Sequence, residues 1–201
     1  MAGIGLYGVY YSKATVNSST GVLSGYNGVQ TMGKAISASF EPTTIDDNPL
    51  YANNGIAERD LSAASGGTLD LTLDRLKEAA YADLFGLTQK ATTVLTDVGG
   101  TGFEFSGEEL SNPVGVAFVR WIQEDNSRSH YDAVVYAYCV FSPPSDDCQT
   151  LGEQVEWQTP EISGTVYGKT LCGTRPWKQI YRFPSQAAAE AFITNFFASS
   201  P

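Results

Sequence analysis

Between residues 131 and 167 the hydrophobic pattern predicts two long strands joined by a turn-rich connection. In the first, Tyr131, Ala133, Val135, Ala137, Cys139 and Phe141 fall on one face and Val134, Tyr136, Tyr138 and Val140 on the other, because strand side chains alternate. Neither face is polar. Such a strand is covered twice, once by the core of its own domain and once by a helix, a second sheet or a neighbouring subunit. In the second strand Val155, Trp157, Thr159 and Tyr167 share a parity, with Ile162 and Val166 on the other. Pro160 lacks the N–H that a ladder uses, so it marks an edge position or a bulge. Residues 142–152, with Pro143, Pro144, Asp146, Asp147 and Gly152, carry loop chemistry.

The remaining chain continues this pattern. Residues 5–11 are aromatic and β-prone, and the Ser/Thr/Asn/Gly-rich run to Gly28 reads as an exposed loop or flexible arm. Met32, Lys34, Ile36, Ala38 and Phe40 alternate with Gly33, Ala35, Ser37 and Ser39, as in a half-buried strand. Residues 41–55 form a long irregular segment around the apolar pair Leu50 and Tyr51, and loops of that length in compact domains are usually functional or disordered. A strand is expected to resume near Arg59, and Leu69, Leu71 and Leu73 alternate cleanly with polar residues. The period then changes: Leu73, Leu76, Ala80, Leu84 and Leu87 follow helical spacing, with Asp74 as the expected N-cap and Gly86 as terminator. Residues 92–98 and 103–105 flank Gly99 and Gly100 as a hairpin. Residues 114–122 are a strand apolar on both faces, followed by a turn at 125–127. A late strand spans 177–183, and Ser185 caps a final helix whose apolar stripe is Ala189, Phe192, Ile193 and Phe196, with Phe197 beside it. No internal repeat is present.

With 201 residues, 20 glycines, 12% aromatic and only 17% charged residues, a single mainly β domain is expected. The formal charge of −10 opposes tight binding to phosphate backbones, which needs clustered Lys and Arg. Three cysteines do not make a disulfide framework; they read as thiols formed in a reducing compartment, although Cys148 and Cys172 both sit in loop-like sequence. Neither a signal peptide nor a membrane span is indicated, so the chain is expected to be made in the cytosol.

Candidate chemistry is sparse. Gly3, Gly5 and Gly8 match the spacing of a dinucleotide-binding fingerprint, but no strand precedes them. Gly28, Gly33 and Lys34 mimic a phosphate loop, yet Ala35 stands where Ser or Thr would hold magnesium. His130 is the only histidine; beside Arg128 and Asp132 it reads as a solvated turn residue rather than a catalytic base. The pairs Asp46 and Asp47, Glu108 and Glu109, and Asp146 and Asp147 read as solvated loop carboxylates. Trp121, Tyr136, Tyr138 and Trp157 suit core or interface packing better than a sugar pocket. No catalytic residue, cofactor or metal site is expected.

Three patches in order resemble the major tail tube proteins of long-tailed bacteriophages with non-contractile tails. The first is Ala35-Ile36-Ser37-Ala38-Ser39-Phe40-Glu41-Pro42 followed by Pro49-Leu50-Tyr51-Ala52-Asn53-Asn54-Gly55-Ile56-Ala57-Glu58. The second is Gly67-Thr68-Leu69-Asp70-Leu71-Thr72-Leu73 running into a short helix that ends Leu84-Phe85-Gly86. The third is the strand before Ser142-Pro143-Pro144, then Thr150-Leu151-Gly152-Glu153 and residues 155–165. The resemblance covers most of the chain from about residue 30.

It implies a β-sandwich or barrel-like fold with one short helix packed on a sheet, an N-terminal strand or arm over 1–30, a long assembly loop over 41–58 and a C-terminal helix over 185–198. It further implies a structural protein of the virion tail, made in the host bacterial cytoplasm. Copies would form stacked, hexameric rings around a lumen through which DNA passes to the host, with tape measure, tail terminator and distal tail proteins as further partners. Asp46, Asp47, Asn48, Leu50, Tyr51 and Asn53 are then the expected assembly contacts, with Leu50 and Tyr51 as the apolar anchor. Six copies at −10 each would carry roughly −60 per ring, repelling phosphates from the wall. On this reading the chain has more apolar strand surface than one copy can hide. The rival expectation is a secreted or surface β-sandwich that binds carbohydrate through exposed aromatics; a third, weaker one is an enzyme using His130.

Overall fold

The computed structural model describes residues 2–43, 48–52, 55–60, 66–89, 102–124, 128–145, 150 and 157–198. Among them the chain forms β1 (Ala2–Val16), β2 (Leu23–Tyr26), β3 (Gln30–Gly33), β4 (Ala35–Pro42), β5 (Asn48–Ala52), β6 (Gly55–Asp60) and β7 (Gly66–Leu73). Then come α1 (Glu78–Phe85), β8 (Val114–Glu124), β9 (Arg128–Phe141), β10 (Glu161–Tyr167), α2 (Lys169–Cys172), β11 (Lys178–Phe183) and α3 (Gln186–Ala198). The fold is mainly β, as expected.

Nine strands make one open antiparallel sheet in the order β2-β1-β8-β9-β10-β7-β4, with β3 also on β1 and β11 also on β9. β3 and β4 are separated by Lys34 alone. One continuous run of chain therefore pairs with β1 near one end of the order and with β7 at the other. This joint curls the sheet back on itself like an incomplete barrel. Inside the curl, Val9, Met32, Leu71, Leu73, Val116 and Tyr136 form the main core together with Leu84 and Phe85 of α1. The polar partners of Leu69, Leu71 and Leu73 face outward as the alternation of β7 requires.

β9 is apolar on both faces, and the second cover comes from this same chain. Ile193 and Phe197 of α3 pack on Ala117, Val119, Ala133 and Val135, while Cys172 of α2 joins Ala137 and Tyr138. Of the covers expected for this face, a helix, a second sheet or a neighbouring subunit, it is helices of the same chain that supply it. The expected parity of β9 also fails beyond Tyr136. Val114 pairs with Cys139 but Val116 with Tyr136, so β9 carries an extra residue at a bulge. Cys139 and Phe141 consequently face the main core with Val134 and Tyr136, not the helix side with Ala133 and Val135.

Other expectations change in place. Residues 12–28 are no flexible arm: β1 runs on to Val16, and β2 folds back onto it. The buried Ser12 hydroxyl donates to the Gly28 carbonyl at 2.5 Å, which lets a polar residue sit in the interior. The alternation of residues 32–40 is broken by a register shift between Ala35 and Ser37, and Ile36 is exposed while Met32 is buried. Asp74 does not cap α1. Its carboxylate accepts from the N–H groups of Lys34 (2.7 Å) and Arg75 (2.8 Å), which pins the β3–β4 joint, and Lys77 occupies the cap position instead. Gly86 ends α1 in the left-handed conformation at φ 67°, as expected. The Ser185 hydroxyl accepts from Ala188 N–H at 3.3 Å and caps α3. Pro160 lies just before β10, where its carbonyl accepts from Leu73 N–H at 3.1 Å. Residues 103–105 are not a strand. The hairpin partner at 92–98, Val155, the turn at 125–127 and Cys148 lie outside the described residues; Cys139 and Cys172 are free and buried.

Candidate assembly surfaces

The segment expected to be an irregular loop contains a hairpin. β5 and β6 pair with each other, with Asn48 opposite Asp60, Leu50 opposite Glu58 and Tyr51 opposite Ile56, and form a two-stranded sheet of their own. Of the expected contact residues, Asn48, Leu50 and Tyr51 lie on β5. Asp46, Asp47 and Asn53 lie outside the described residues.

A second surface was not singled out in the sequence. β9 shares one edge between two strands, β10 along residues 139–141 and β11 along residues 131–136. β10 is paired on its other side by β7, whereas β11 pairs with β9 alone and β4 with β7 alone among the described residues. These two unpaired edges flank a cleft of about 540 Å³. Phe118, Val134 and Tyr136 belong to its lining, and Ile36 and Ile180, 52% and 48% exposed, stand on its walls. In its lining the Lys178 ammonium lies 4.3 Å from the centre of the Phe40 ring and 5.5 Å from that of Tyr136. Phe40 itself lies between Tyr136 (5.0 Å) and Trp177 (5.8 Å), tilted against both rings. Burial and then the charge of Arg120 push the Lys178 ammonium pKa down. Lys178 forms no ion pair with a carboxylate among the described residues.

Beside the cleft, Asp132 ties three strands together. Its carboxylate takes Arg120 of β8 at 3.1 Å and Arg182 of β11 at 3.4 Å, and Arg182 also reaches Glu124 at 3.1 Å. His130 is no solvated turn residue: it is buried in β9, with Nε2 3.6 Å from Asp132. Its place opposite Ile122, inside the β8–β9 ladder, explains the burial. The buried Arg120 Nε–H meets no acceptor among the described residues.

The glycine motifs acquire no phosphate-binding frame. Gly3, Gly5 and Gly8 all lie within β1, and Lys34 leads into β4 rather than a helix. Glu109 holds a turn: it accepts from the Ser106 hydroxyl and N–H, both at 2.7 Å, and from Gly107 N–H at 2.9 Å. Asp46, Asp47, Asp146 and Asp147 lie outside the described residues. Among the described residues no group of three His, Cys, Asp or Glu side chains is placed to hold a metal, and no helix is long and apolar enough to cross a membrane. Several exposed aromatics are partly engaged within the chain, Phe105 with Tyr81, Tyr167 with Tyr138 and Tyr181 with Phe192. No protein-family model matches the chain, and no curated protein matches it.

Proposed function

We propose that the protein is a structural subunit that assembles with copies of itself, and that its assembly is the hollow tail tube of a long-tailed bacteriophage through which DNA is delivered. The observation that carries this reading is the pair of strand edges on β4 and β11 that have no partner strand among the described residues, flanked by half-exposed Ile36 and Ile180. An exposed edge offers rows of free N–H and C=O groups to another chain, and monomeric proteins usually blunt it. An edge lysine is one such device, but Lys178 is folded onto Phe40. The separate β5–β6 hairpin adds a second surface that, among the described residues, has no strand partner in the main sheet. A charge of −10 suits a wall along which DNA slides without adhering.

Negative-stain electron microscopy of the purified protein tests the reading. Rings or tubes are the expected result. A dispersed monomer at high concentration, by images and by sedimentation, would overturn it and favour a binding module.

A further inference from the structure

We propose that the cleft between β4 and β11 receives an extended acidic segment of a second copy of this chain, which pairs with the free edge of β11 and sets a carboxylate beside Lys178. The inference rests on the self-assembly reading above and deepens it by naming the receiving surface and the chemistry of what it receives.

Geometry comes first. The curled sheet is one strand short at this place, because β9 gives part of its edge to β11 and nothing among the described residues continues the sheet from β11 to β4. A strand laid there would satisfy β11 backbone groups, as in other strand additions to an open edge. Its alternate side chains would turn inward onto Phe118, Val134 and Tyr136, which line the cleft. Charge then selects the partner. Among the described residues, the charged ones lining the cleft are Arg120 and Lys178. Asp132 already neutralises Arg120, whereas Lys178 is held against aromatic rings with no carboxylate among the described residues. The chain carries 22 acidic residues against 12 basic ones, so a second copy offers acidic segments widely, while phosphate polymers are repelled by the molecule as a whole. A segment that enters a cleft differs from the cleft itself, so the contact is heterologous. Contacts of that kind close into rings or run on as filaments.

Sedimentation velocity over a concentration series and hydrogen–deuterium exchange test the inference on the full chain and on Lys178→Glu, Ile180→Asp and Ile36→Asp. Both isoleucines are about half exposed, so their variants are expected to fold, and thermal unfolding checks this. The expected result is assembly of the natural chain with new protection of the amides of residues 178–183. Each variant should need a concentration at least about tenfold higher to assemble. If the natural chain assembles and all folded variants assemble at the same concentration, with residues 178–183 unprotected, the cleft proposal is overturned and the self-assembly reading stands. Protection of those amides already complete in the monomer would also overturn it, because the chain then fills its own cleft. A natural chain that never assembles removes both readings together.

Discussion

At the scale of single residues, the two faces of the sheet are set by bulges. Gly8 has φ +44°, and a β-carbon there would lie 2.9 Å from the Tyr10 ring. The register with β8 skips at this residue, so Tyr7 and Tyr10 turn outward beneath α3 while Val9 and Tyr11 turn into the main core. Gly8→Ala is expected to lower stability by about 1–2 kcal/mol, the cost of placing an L-residue in the left-handed region, read from urea unfolding. Parity in the sequence was a sound guide up to each bulge and inverted after it. Cys139 and Phe141 were therefore assigned to the wrong face, since nothing local in Tyr136-Ala137-Tyr138-Cys139 announces an inserted residue. Electrostatics at Glu109 gives a second test. The Ser106 hydroxyl and N–H, together with Gly107 N–H, hold its carboxyl at about 2 against an ordinary 4.5. A depressed carboxyl pKa contributes stability above the unfolded value that is lost as pH falls through the folded one. The 106–109 turn should thus be intact above pH 4.5 and loosen as pH falls towards about 2, with the Glu109 carboxyl resonance reporting that late midpoint.

At the scale of elements, β7, β8, β9, β11, α1 and α3 were legible because their apolar spacing is strong and their ends carry Gly86 or Ser185. The extension of β1 and the presence of β2 were not, since the stretch after Tyr11 is rich in Ser, Thr, Asn and Gly, which normally signal loops. Its residues are held instead by long-range contacts. Tyr26 donates from its hydroxyl to the Ala137 carbonyl at 2.8 Å and meets Phe197 edge-on at 5.0 Å. Gly115 leaves room for both rings: a β-carbon there would come within 2.5 Å of Phe197 and 2.7 Å of Tyr26. Phe197 is 1% exposed and anchors α3 on the sheet. Phe197→Ala is expected to cost about 3–5 kcal/mol, the transfer and cavity terms together, and to uncover the outer face of β8 and β9. Urea unfolding measures the first effect and increased binding of a hydrophobic dye the second.

At the scale of the whole molecule, the sequence supported a mainly β domain with two helices of consequence, but not the strand order. Pairing of β1 with β8, or of β7 with β10, joins segments far apart in the chain, and local periodicity carries no information about such partners. The receiving cleft was invisible for the same reason: Lys178-Gln179-Ile180 reads as strand whether or not a neighbour lies beside it. The segment expected to be an irregular contact loop contains the β5–β6 hairpin, and that hairpin was not foreseen. Because β5 and β6 pair with each other and not with the main sheet, removal of residues 46–54 is expected to leave the monomer folded while impairing assembly. Circular dichroism of the deletion variant checks the first half and electron microscopy the second; global unfolding would show that the hairpin belongs to the core.

The pairing of β1 with β8 also sets an order of events during synthesis. β1 ends at Val16, but its long partner β8 opens only at Val114. One edge of the first strand can take β3 early, but the other waits on the ribosome until more than half of the polypeptide has emerged, holding Val9 and Tyr11 without β8 beside them. Native pairing across such sequence distances slows folding to roughly milliseconds to seconds, so premature contact between nascent chains is the hazard this topology creates.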